Sequence, residues 1–420
     1  MKMLTPQPRL SSDWFRVLVY LLLFLFPIAG NTQKSWTGTI FGLLVIATLF
    51  YLKHTKPTLS KREVTLLMIV LAIFSVTTVS NIVNGWDYAQ TRGLGVYLRW
   101  LLFIPVYWVI RDLPKSFFWL ANGTVLAAFV LFFQSFYDVY FLKTGRSYGV
   151  YDSPGLVGVQ SLIFTITLIG ATLTHKNSKK LTIIYCLGGI AALGSLFLSG
   201  SRSTYFLIAL LVPCLILIFF NLKKALLILS LVLFSTVLFY SNNDFFSSRV
   251  QSGLKETQDY FRAPNPASMT HGSVGTRLEM WKVSVMIAKE NPIIGVGWRN
   301  FQKSTKPFLD QGLVSISASQ HPHPHNMYLE FLVTTGLCGL LLISTLFIHA
   351  AHTAHQSVTK NPITGKLLLT FILVFVFNGI NEGGAFSYGN ALSFFLVYLA
   401  VFFSTTQSKS VSDRPRLANH

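Results

Sequence analysis

The segment His321-Pro322-His323-Pro324-His325-Asn326 sets three imidazoles where a long polar stretch meets an apolar run that starts near Tyr328. Imidazole has an ordinary pKa near neutrality, so such a cluster suits general acid–base chemistry. Two arginines stand elsewhere in positions suited to an anion. Ser199-Gly200-Ser201-Arg202-Ser203 reads as a tight turn between apolar runs, with Gly200 ending one helix and Ser201 or Ser203 capping the next. Arg202 would then stand beside helix-terminal N–H groups that favour anions. Taken alone, Arg202 is more simply an interfacial arginine that snorkels to a lipid phosphate. Thr276-Arg277-Leu278-Glu279 has a capping-box pattern that opens an amphipathic helix ending at Asn291-Pro292. A cation in that first turn opposes the helix dipole unless an anion binds there, and pairing with Glu279 is its other reading.

The His-x-His-x-His run could also bind zinc. The intervening prolines impose an extended backbone, however, and no outside cysteine or acidic cluster lies nearby in sequence, so no metal is assigned. A neutral imidazole near Arg202 and Arg277 would serve as a general base, its pKa lowered by the cations. His325 adjoins the apolar run that Asn326 can cap, which makes it the best held of the three, with His321 and His323 on a looser extended arm. Lys34, Arg92, Lys143, Arg146, Tyr148 and Glu382 are further candidates on the same face. Arg146 lies between Gly145 and Gly149, which let backbone approach a ligand closely. Glu382 is an acid at the mouth of an apolar run, where such groups are functional by default. Arg99 falls inside an apolar run and needs a partner.

These residues must be positioned by a membrane bundle. The chain is 52% hydrophobic and only 12% charged, with a mean hydropathy of +0.53, which excludes an ordinary soluble domain. Apolar runs of roughly 17–25 residues, enough to cross ~30 Å of hydrocarbon, occur at 14–30, 36–52, 64–80, 94–110, 116–138, 154–174, 181–199, 203–220, 223–240, 327–350, 366–383 and 387–404. The expected fold is thus all-α and polytopic, with about twelve transmembrane helices. Residues 1–240 hold the first nine, 241–326 a long loop with the amphipathic helix, 327–404 the last three, and 405–420 a tail. The first run has no evident cleavage site and is read as a retained span.

Cations crowd the even-numbered connections: Lys53, Lys56, Lys61 and Arg62; Arg111 and Lys115; Lys176, Lys179 and Lys180; Lys223 and Lys224; Lys360 and Lys366. Lys409, Arg414 and Arg416 add to the tail. The positive-inside rule then puts both termini in the cytoplasm and the histidines, Arg202 and Arg277 outside. Much of the net charge of +19 is therefore topological and meets anionic membrane lipid, so nucleic-acid binding is not implied. Cys186, Cys214 and Cys338 fall inside runs and read as packing residues rather than a disulfide framework. No phosphate-binding loop or dinucleotide fingerprint is present, no cofactor is assigned, and the outside loops hold no Asp-x-Asp pair for a metal-bound nucleotide sugar.

Three features in order give the chain a family likeness: Ser201-Arg202-Ser203 on a tight turn; Gly275-Thr276-Arg277-Leu278 with Trp281 in the long loop; and His325-Asn326 with Tyr328-Leu329, followed by Gly336-Leu337-Cys338-Gly339-Leu340. It resembles the O-antigen ligase (Wzy/WaaL-like) family of bacterial membrane glycosyltransferases, and the topological resemblance covers almost the whole chain. The resemblance implies transfer of a glycan from undecaprenyl diphosphate to an acceptor at the periplasmic face of a Gram-negative inner membrane. The implied chemistry is metal-independent and inverting, on a fold related to the GT-C class. Carried over residue by residue, Arg202 and Arg277 would hold the diphosphate and His325 would activate the acceptor hydroxyl. Many relatives carry an acid after His-Asn where Met327 stands here, so the residue that orients His325 is open between Glu330 and Glu382. Length and loop size point to lipid A-core ligases, with undecaprenyl diphosphate-linked O-antigen and lipid A-core oligosaccharide as partners. O-antigen polymerases and protein O-oligosaccharyltransferases of the same family are the alternatives. A lipid-glycan transporter is the alternative of another class; it should show ionisable or broken helices at mid-membrane, whereas the charges here gather at one face.

Overall fold

The computed structural model describes residues 13–54, 59–242, 244–263, 265, 267, 272–382 and 384–407. Lys56, Asn243, Pro264, Pro266, Gly383 and the tail cations Lys409, Arg414 and Arg416 lie outside the described residues, as does the side chain of Arg92. Helices but no strands occur among the described residues. The first nine are α1 (Asp13–Thr32), α2 (Trp36–His54), α3 (Lys61–Val83), α4 (Tyr88–Arg111), α5 (Ser116–Phe136), α6 (Pro154–Thr174), α7 (Lys179–Leu198), α8 (Arg202–Phe219) and α9 (Leu222–Asn242). Then come α10 (Asp244–Arg262), α11 (Ser273–Glu290), α12 (Phe301–Asp310), α13 (Ile316–Ser319), α14 (Met327–Val358), α15 (Pro362–Asn381), α16 (Gly384–Ser387) and α17 (Gly389–Gln407).

Among the described residues, eleven helices are long and apolar enough to cross a membrane by length and composition. They coincide with eleven of the expected runs. The remaining run is α2, whose apolar stretch Trp36–Tyr51 is shorter. Serines and an asparagine set several starts: Ser60, Ser153, Ser178, Ser201 and Asn326 each accept a first-turn N–H of the helix that follows. The bundle closes around α17, where every residue from Leu392 to Ser404 is buried.

The stretch between α9 and α14 is more ordered than a loop with one amphipathic helix. It holds four helices, α10–α13, of which α11, α12 and α13 build a second small core from Met280, Val283, Ile287, Phe301, Phe308 and Ala318, with Val296 and with Val333 of α14. The amphipathic helix α11 therefore packs on the bundle. Its buried face includes Met280, Val283 and Ile287, while Val285 is exposed.

Inside α14 the helix breaks at Gly336 (φ 66°, ψ −164°), a backbone region essentially restricted to glycine. The irregular run 292–297 fills the break. Leu337 N–H donates to Pro292 O (2.8 Å), Val296 N–H to Val333 O (2.8 Å) and Gly297 N–H to Thr334 O (3.0 Å). Ser80 of α3 donates to Ile294 O or Thr334 O at 2.7 Å. Irregular backbone at such a depth is stable only where protein satisfies its polar groups, and here it does. A broken helix is therefore present, contrary to the charge-only picture drawn from sequence, but the break is filled by protein.

Candidate functional site

Six connections converge at one end of the bundle, opposite Arg111, Lys115, Lys176, Lys223 and Lys360. Lys34, after α1, pairs with Asp152, before α6, at 2.5 Å. Asn390 of α17 donates its side-chain amide to the Lys34 carbonyl. Ser147 N–H donates to Leu198 O at 2.8 Å, docking the 145–149 loop on the turn that holds Arg202. Asp138, which the sequence reading passed over, organises that loop by accepting from Ser147 Oγ and from the N–H groups of Tyr148 and Gly149 at 3.0–3.2 Å.

The histidine arm is folded rather than extended. His325 has φ +50°, a left-handed conformation that argues for a constrained position. His323 is the most enclosed of the three at 5% exposure. Its Nδ1 faces His325 N–H at 3.4 Å and its Nε2 faces the Tyr388 hydroxyl at 3.4 Å. A neutral imidazole that accepts at Nδ1 carries its proton on Nε2, so His323 donates to Tyr388. Burial, with the charge of His325 added, pulls the His323 pKa down to about 4 despite Glu382 nearby. The His321 pKa is also lowered, by burial and then by His325 and Arg277. Two further contacts hold the arm: Trp281 Nε1 donates to Pro324 O (3.1 Å), and Asn326 caps α14 while donating to Ile380 O (3.0 Å).

Of the two acids left open by sequence, Glu382 is the one beside His325, with Oε1 3.4 Å from Nδ1. Glu330, buried and accepting from Ser387 Oγ at 3.3 Å, does not face the histidines. Burial alone would raise the Glu382 pKa, but the contact with His325 and the charges of His325, His323 and Arg277 outweigh it and hold it at about 2. Glu382 is therefore an ionised acceptor at neutral pH. The donor atoms of His323, His325 and Glu382 lie within 4.8 Å of one another, a grouping that could take a metal ion. The expected lack of a nearby acid thus holds in sequence but not in space.

Arg277 lies within electrostatic reach of both Glu382 and Arg202. Burial lowers its pKa, Glu382 acts to raise it and Arg202 to lower it. The helix that carries Arg277 starts at Ser273 after Gly272, not at a Thr276 cap, so Arg277 falls in the second turn. Glu279 is not its partner: wholly buried, Glu279 accepts from Tyr260 Oη (2.7 Å) and Ser315 N–H (3.1 Å). Arg202 Nη1 lies 3.3 Å from Glu256 Oε1 of α10, a contact that sequence did not suggest. Glu256 also accepts from Val274 N–H at 2.9 Å. Burial acts to raise its pKa, but that bond and Arg202 prevail and lower it.

Arg146 stacks over the Tyr148 ring at 5.1 Å and donates to its hydroxyl. Lys34 and Glu382, unlike that stacked pair, line a cavity of about 460 Å³ whose wall includes His323, His325 and Tyr388. Arg99 lies apart, bonded to Ser393 Oγ and the Gly95 carbonyl.

The family model Wzy_C, described as O-antigen ligase, matches residues 187–344. The match covers less than half of the chain, a domain-sized stretch that is similar to that family. That stretch contains Arg202, Arg277 and His325, the three residues on which the resemblance rested, whereas Glu382, Lys34, Arg146 and Tyr148 come from outside the matched residues. An uncharacterized protein of Haemophilus influenzae is 22% identical over 261 residues, which are 60% of this chain and 63% of that relative. The match thus spans less than two thirds of the curated relative's length. By length and composition, the apolar helices make the chain a multi-pass membrane protein.

Proposed function

We propose that the chain is an O-antigen ligase of the Gram-negative inner membrane, moving a glycan from undecaprenyl diphosphate to the lipid A-core acceptor. Its site end would face the periplasm, with 241–326 lying there and both termini in the cytoplasm, as the cation bias argues. The observation that carries the reading is the His325–Glu382 pair, with Arg277 close enough to act on Glu382 and Arg202 close enough to act on Arg277. Glu382 at Nδ1 favours the tautomer with its proton on that nitrogen, leaving Nε2 to accept one. The acceptor oxygen attacks the anomeric carbon and its proton passes to His325 Nε2. The bond from that carbon to the diphosphate oxygen breaks, and the electron pair leaves on the diphosphate. Arg202 and Arg277 would stabilise the growing charge, as planar donors do. Attack from the face opposite the leaving group inverts the anomeric centre. A divalent ion is not required in this scheme.

Purified protein incubated with lipid-linked O-antigen and lipid A-core should form lipopolysaccharide in excess EDTA. His325→Ala should lose roughly 10²–10⁴-fold in rate, the usual cost of removing a general base. Arg277→Lys should be nearly as damaging as Arg277→Ala. Activity lost to EDTA and restored by zinc would make His323, His325 and Glu382 a metal site instead. Product longer by repeat units, with no core attachment, would make the chain a polymerase.

A further inference from the structure

The cavity beside His325 has walls of a different chemistry from the arginine side. Neither Arg202 nor Arg277 lines it, and its one fixed cation, Lys34, is already matched by Asp152 at 2.5 Å. With Glu382 added, the fixed charge is not positive, which disfavours a phosphate. Three side-chain amides line the space instead, of which Asn390 is already bonded to the Lys34 carbonyl. Asn378 of α15 is buried at 4% exposure, yet its side chain has no hydrogen-bond partner among the described residues, and neither has that of Gln160 on α6. Gln160 is half-buried, and the polar atoms of both amides are left facing the cavity, where a ligand with donors and acceptors can pair with them. Room for Gln160 is itself provided for: a Cβ at Gly30 would sit 2.9 Å from its Nε2. Phe375 and Phe394 supply an apolar floor. Paired donors and acceptors above an aromatic floor, without net positive charge, match the alternating hydroxyl and C–H faces of an uncharged pyranose. The volume is in the range of small-ligand sites.

We propose that this cavity is the acceptor-sugar subsite, in which Asn378 and Gln160 hydrogen-bond the sugar that presents its hydroxyl to His325. The assignment rests on the ligase reading for the role of His325, but the sugar-binding claim is separable from it. The same chemistry would serve a lipid A-core sugar or the end of a lipid-linked glycan. Binding of delipidated core oligosaccharide, and in a second arm of a delipidated O-antigen repeat unit, is measured by calorimetry on the full-length protein in detergent. Asn378→Ala and Gln160→Ala should each weaken binding of one of these probes by roughly tenfold, with unchanged thermal midpoints. In turnover they should raise the acceptor KM by a similar factor and leave the donor KM within about twofold of wild type. Binding of either sugar probe without turnover would retain the subsite and reject the ligase reading. The subsite is overturned if neither probe binds wild type, if both variants bind normally, or if the donor KM rises instead.

Discussion

At the scale of single residues, the site depends on one histidine that does not take up protons. His323 is buried, with its pKa lowered to about 4, whereas a histidine in an unfolded chain titrates near 6.5. Between these values the unfolded chain binds a proton that the folded one refuses. The folded state therefore loses stability as pH falls from about 6.5 towards 4, by an amount on the order of 3 kcal/mol. Glu382 has the same sign in a lower window: with its pKa held at about 2, its contribution is present above the usual carboxylate pKa and is lost as pH falls from there through about 2. The acid sensitivity expected near pH 5 thus belongs to His323 rather than Glu382. Thermal midpoints in detergent between pH 7.5 and 4.5 should drop for wild type and flatten for His323→Gln, which keeps an acceptor for His325 N–H. Equal slopes in the two proteins would assign the sensitivity elsewhere.

At the scale of elements, the decisive feature is the interlock between α14 and the 292–297 run. An added Cβ at Gly336 would lie 2.2 Å from Ile293 carbonyl atoms, and one at Gly295 would lie 2.4 Å from Val333 O. Left-handed backbone alone costs a non-glycine residue roughly 1–3 kcal/mol, and backbone cannot move aside as a side chain can. Gly336→Ala and Gly295→Ala should each sharply reduce the monodisperse yield of detergent-extracted protein. Gly42→Ala, where nothing lies within 4 Å of the new atom, should not. The spans were readable because twenty apolar residues have few other destinations. The interlock was not, since a glycine in an apolar run is ordinary in membrane helices. Thr276-x-x-Glu279 misled for a related reason: the pattern is local, but Glu279 is committed to Tyr260 and Ser315. Arg202, Arg277 and His325 were legible through their turn, helix and cap, whereas Glu256 and Asn378 became visible only when distant segments met.

At the scale of the whole molecule, one end gathers the histidines, arginines and acids while the other carries the lysines of the short connections. Single cysteines in a background lacking Cys186, Cys214 and Cys338 would report the orientation. Lys303→Cys, at a side chain 74% exposed on α12, should react with an impermeant maleimide in spheroplasts. Lys360→Cys should react only after permeabilisation. The reverse pattern would place the site in the cytoplasm and remove undecaprenyl diphosphate-linked periplasmic chemistry from consideration.

The filling of the α14 break also dictates an order of manufacture. Residues 292–297 leave the ribosome before Gly336, so they cannot dock until α14 has been threaded into the bilayer. Glu382 follows later still, ahead of the α17 helix around which the bundle closes. A nascent chain that stalls between His325 and Glu382 therefore carries both arginines and the histidine without the acid that pairs with it, and the site is completed only as α17 follows.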